Sequence, residues 1–141
     1  MSRVLLLMSL LVAAASSVRG QEGASRVTCT VPGDAEARTW VLEQASGHWQ
    51  ITFTSRTATR PVRLALPGAR PVLSAASATL SYKNANGGRQ VELKADEANA
   101  TLDVWVDHGL EVNIEPDLDP RVDLMNTHGA LEGVRCTVAR M

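Results

Sequence analysis

Several things are scarce in this chain, and each scarcity removes a class of function. It has two cysteines in 141 residues, so no Cys-x-x-Cys pair and no zinc-type spacing can be drawn. Its formal net charge is −1, which gives no bulk attraction to nucleic acid. After the first twenty residues no apolar run approaches the roughly 20 residues that a membrane-spanning helix requires, so no transmembrane segment is expected in the mature chain. Gly-x-Ser-x-Gly, a reactive-cysteine context and a glycine-rich phosphate loop are all missing. Asp107 and His108 are adjacent, but adjacency does not make a catalytic dyad. The expectation is a protein that is not an enzyme and holds no cofactor.

Metal sites fare no better. Each histidine (His48, His108 and His128) lies beside a glycine in a turn, and strand counting separates the first from the other two. Glu115, Asp117, Asp119 and Asp123 resemble a calcium loop. Counted from Asp117, however, the sixth and twelfth places hold Val122 and His128 rather than glycine and glutamate. No metal is expected.

What is present begins with a leader. Arg3 supplies a basic start, Val4 to Ala15 a short apolar stretch, and Ser16, Ser17 and Gly20 the small residues of a cleavage region. Residues 1–20 read as a signal peptide and residues 21–141 as a single all-β domain that is secreted or periplasmic. In an oxidising compartment the one available pairing is Cys29 with Cys136. Closing so long a loop is worth roughly 4 to 5 kcal/mol in the chain-entropy picture.

Period-two alternation runs through most of the mature chain. Val27, Cys29 and Val31 share a face, as do Trp49, Ile51 and Phe53, then Val62, Leu64 and Leu66. The segment around Trp40 and Leu42 fits either a short helix or a strand, and its well-marked partner favours the strand. Ala78, Leu80 and Tyr82 face Val91, Leu93 and Ala95 across a turn at 84–88. The clearest stretch is Ala100 to Glu115, where Leu102, Val104 and Val106 are followed after His108-Gly109 by Leu110, Val112 and Ile114. This spacing predicts a hairpin with one aliphatic face. Val122 and Leu124 predict one more short strand, and 132–138 the last.

About ten short strands result, arranged as an antiparallel β-barrel or β-sandwich. If each connection reverses the chain, an even number of strands makes the first and last antiparallel, so they could be neighbours that a Cys29–Cys136 disulfide would join. Arginine dominates from Arg26 to Arg89 and acids from Glu92 to Asp123. Pairing of oppositely charged strands is the expected reason.

The candidate site follows from the hairpin. Its polar face would carry Trp105 with Asp103, Asp107 and Glu111, a large exposed aromatic among carboxylates. An acidic rim suits a basic protein or peptide. Two alternatives stand beside this binding reading. One is a small barrel that carries an apolar molecule between Trp40, Trp49, Phe53 and Tyr82; the other is an uncharacterised hydrolase. Asn99-Ala100-Thr101 matches a glycosylation acceptor.

Overall fold

The computed structural model describes residues 25–140, and the leader expected over residues 1–20 lies outside them. Ten strands follow in order: β1 Ser25–Thr30, β2 Thr39–Ala45, β3 His48–Thr54, β4 Val62–Leu66, β5 Val72–Leu73, β6 Ala78–Lys83, β7 Arg89–Ala95, β8 Ala100–Val106, β9 Leu131–Glu132 and β10 Arg135–Arg140. They form two antiparallel five-stranded sheets, sheet A in the order β10-β1-β2-β3-β4 and sheet B in the order β5-β6-β7-β8-β9. The architecture is therefore a sandwich and not a closed barrel. Apart from β10 beside β1, every neighbour within a sheet is also the neighbour in sequence. No helix among the described residues is long and apolar enough to cross a membrane.

The alternation explains the packing. Val27, Cys29, Trp40, Leu42, Ile51, Phe53, Val62, Leu64 and Leu66 point inward from sheet A, and Leu80, Tyr82, Val91, Leu93, Leu102, Val104 and Val106 from sheet B, all within one core. The stretch around Trp40 is strand because Trp40 and Leu42 pair with Phe53 and Ile51 across a tight turn. At that turn Ser46 and Gly47 both have positive φ, 54° and 82°, the geometry a two-residue hairpin demands. Cys29 stands directly opposite Cys136 in the β1–β10 ladder, and the two form the expected disulfide.

Three expectations are corrected. The second arm of the Ala100 to Glu115 hairpin does not form; the chain instead makes a one-turn helix α1, His108–Glu111. Asp107 starts it by accepting the Leu110 N–H on its carboxylate at 3.2 Å, so the Asp-x-x-Leu spacing acts as a helix cap where alternation alone suggested a strand turn. Leu110 and Ile114 are consequently exposed. Val122 and Leu124 belong to a 3-10 helix, Pro120–Met125, opened by Pro120 and by the Asp119 carboxylate, which accepts the Arg121 N–H. Finally, opposite charges do not face each other where the two segments meet: β4 with Arg63 pairs with β3, and Glu92 of β7 stands opposite Ser81 and Asp103. Among the described residues the ion pair between directly opposed strand positions is Arg26–Glu43, at 3.5 Å within sheet A.

The 3-10 helix fills the sandwich near β4 and β8, with Val122 and Met125 fully buried and the Trp40 indole N–H donating to the Met125 carbonyl at 2.9 Å. It also delivers Asn126 and Thr127 to the edge of β8, which β9 covers only at Thr101 and Leu102. The Asn126 carboxamide accepts the Val106 N–H at 2.7 Å and donates to the Val106 carbonyl at 3.1 Å, as a neighbouring strand would. Thr127 does the same for Val104, its hydroxyl accepting the Val104 N–H at 2.9 Å and its own N–H donating to the Val104 carbonyl at 3.0 Å. Side chains thus finish an edge that strand pairing leaves open. Asn126→Leu strips both partners from Val106 in a buried setting and is expected to cost about 1–3 kcal/mol, read as a lower urea midpoint at unchanged slope.

Candidate functional site

The outer face of sheet B is built by the residues that alternate with its core. On β8 these are Thr101, Asp103 and Trp105; on β7 they are Gln90, Glu92 and Lys94, set opposite them in the same order reversed. Trp105 faces Gln90 and keeps 42% of its surface in solvent, a large value for the bulkiest side chain in the protein. Beside it, Glu92 and Asp103 stand directly opposite one another. Like charges at opposed strand positions repel, and no ion pair among the described residues neutralises either. The Ser81 hydroxyl donates to Glu92 at 2.6 Å, and the Thr127 hydroxyl lies 3.5 Å from the Asp103 carboxylate.

Of the residues expected here, Trp105 and Asp103 share the face. Asp107 follows at the end of β8, but its carboxylate is engaged in capping α1. Asp123 adds a further acid close by, accepting the His108 N–H at 3.3 Å. Glu92 was not anticipated, though the turn between Ala95 and Ala100 implies the register that sets it against Asp103.

Glu111 lies elsewhere. It is fully buried, because the missing hairpin arm turns it inward to meet Arg89. The Arg89 Nε donates to the Glu111 carboxylate at 3.0 Å, one Nη to the Ala65 carbonyl of β4 at 2.7 Å, and the other to Glu115 at 3.0 Å. Asn84 and Asn86 each donate a side-chain N–H to Glu111, so both charges are paired and hydrogen-bonded. Gly88 makes room for this carboxylate: a Cβ there would stand 2.9 Å from the Glu111 carboxyl carbon. Nearby, the Tyr82 hydroxyl donates to the Pro67 carbonyl at 3.0 Å, and burial holds this phenol above its usual pKa. The cluster is closed to solvent on the Arg89 and Glu111 side and acts as a clamp between sheets.

Two of the aromatic residues considered for an internal ligand pack in the core. Trp40 and Phe53 are tilted against each other with ring centroids 5.4 Å apart, and both are buried. Among the described residues no cluster of three or more histidine, cysteine, aspartate or glutamate side chains is placed to hold a metal. A comparison with family models, with curated proteins and with solved structures found no match to this chain.

Two measurements separate the two acidic groupings. Glu92→Gln, which relieves the opposed charges, is expected to raise stability by about 0.2–1 kcal/mol, with the gain shrinking at high salt. Glu111→Ala leaves the Arg89 charge buried with one partner fewer and is expected to cost about 3–5 kcal/mol in the same denaturation assay.

Proposed function

We propose that this chain is an exported, non-enzymatic binding domain that engages a basic protein or peptide through the outer face of sheet B around Trp105. The observation that carries the reading is an exposed tryptophan beside two carboxylates held directly opposite each other, an arrangement in which like charges repel. A cationic side chain laid over the Trp105 ring gains cation–π attraction and at the same time offsets the Glu92–Asp103 repulsion. Asp107 and Asp123 extend the same negative rim. Export rests on the leader read from residues 1–20, and the Cys29–Cys136 disulfide is compatible with an extracellular or periplasmic setting. Glu111 has no part in this surface.

The test uses 5-fluorotryptophan, which gives each of the three tryptophans its own fluorine resonance, assigned with Trp105→Phe. Titration with a blocked lysine- and arginine-containing peptide is expected to move the Trp105 signal and leave those of Trp40 and Trp49 in place. Asp103→Asn combined with Glu92→Gln is expected to weaken binding by about tenfold, the effect of losing roughly 1.4 kcal/mol. An acidic peptide that moved Trp105 equally well, or a basic one that left it unmoved at millimolar concentration, would refute the proposal.

A further inference from the structure

At the other side of sheet B the β6 edge is only partly covered. β5 pairs with β6 at two positions, Val72 with Thr79 and Leu73 with Ala78, although β6 continues to Lys83. The ladder ends at Val72, and the chain before it runs through Pro71 into a turn. The Pro67–Arg70 connection instead turns away, its Gly68 at a φ of 81° and the Ala69 N–H donating to the Leu66 carbonyl at 3.1 Å. Between this connection and β6 lies an open groove of about 620 Å³. Ser81 and Lys83 form one wall, Ala69 and Arg70 the other, and Ile114, 61% exposed, stands at its margin.

We infer that this groove receives an extended acidic peptide segment, which adds to sheet B as a strand beside Leu80–Lys83 in line with β5. Two features on the groove select that occupant. Alternate residues of an uncovered strand turn their N–H and C=O groups toward the open side, and an extended backbone satisfies them. The charged side chains lining the groove, Arg70 and Lys83, are both cationic, no carboxylate lines it, and neither cation forms an ion pair among the described residues. Acidic side chains projecting from the added strand meet them, and Ile114 offers an apolar contact to a residue between. The site meets the Trp105 face only through the Ser81 hydroxyl, which donates to Glu92, and it has the opposite charge preference, so it stands whether or not that face binds a basic partner.

The experiment follows amide shifts of the isotope-labelled protein on adding a blocked hexapeptide of alternating glutamate and valine. Shifts are expected at Ala69, Ser81, Lys83 and Ile114. Arg70→Glu with Lys83→Glu, both at exposed positions, is expected to weaken binding at least about tenfold with no change in thermal midpoint, and Trp105→Ala to leave binding untouched. N-methylation of alternate peptide bonds in the hexapeptide is expected to abolish binding, which separates strand addition from simple charge attraction. Equal binding of the N-methylated peptide, equal binding of a lysine–valine hexapeptide, or no shift at millimolar concentration would each overturn the inference. So would sedimentation showing that the chain pairs with a second copy through these same residues in the absence of peptide.

Discussion

A guanidinium taken out of water must be surrounded by acceptors, and Arg89 dictates much of this fold by needing them. It stands at the first position of β7, almost without solvent contact, and draws in Glu111, Glu115 and the Ala65 carbonyl. Those three acceptors come from α1, from the loop after it and from β4 of the opposite sheet. One side chain therefore pins the edge of sheet A to sheet B and pulls the segment after β8 back over the core. The asparagines of the 84–88 turn complete the shell around Glu111, and the Arg89 N–H in turn donates to Asn84 at 3.0 Å. Turn, strand start and helical turn are held as one unit.

This also explains where the sequence could be read and where it could not. Local pairing was legible: Ala95 and Ala100 flank a short turn, so the β7–β8 register followed, and two cysteines near the ends of an even meander implied joined terminal strands. The β2–β3 hairpin was legible from Trp49, Ile51 and Phe53 and from Ser46-Gly47. Leu110, Val112 and Ile114 misled because alternation over five residues says nothing about a buried arginine 22 positions earlier that requires Glu111. Val122 and Leu124 misled for a related reason. Pro120 and the Asp119 carboxylate favour a helical start there, and the payoff, a plug against Trp40 and a finished β8 edge, is tertiary.

The candidate site divides along the same line. Trp105 and Asp103 were visible as outward positions of β8, and Glu92 was implied by register, since all three depend on strand geometry alone. Glu111 depended on the arm that does not exist. Sheet B carries the two signs of charge in different places. Glu92 and Asp103 stand together on β7 and β8, while Arg70 and Lys83, without an ion pair among the described residues, flank the open side of β6. Core residues on the inner face are common to both regions, and Ser81 joins the two surfaces, lining the groove while its hydroxyl donates to Glu92.

The covalent link between β1 and β10 gives the strand order a further meaning. With Cys29 bonded to Cys136, 107 positions apart, every turn from β1 to β10 lies inside one covalent ring. A protease that cuts a single exposed turn, such as Asp96–Asn99, opens this ring but liberates no fragment, and both new ends stay anchored in paired strands. Two cuts are needed before any piece can leave, so a domain assembled as a closed circuit tolerates the first injury by construction.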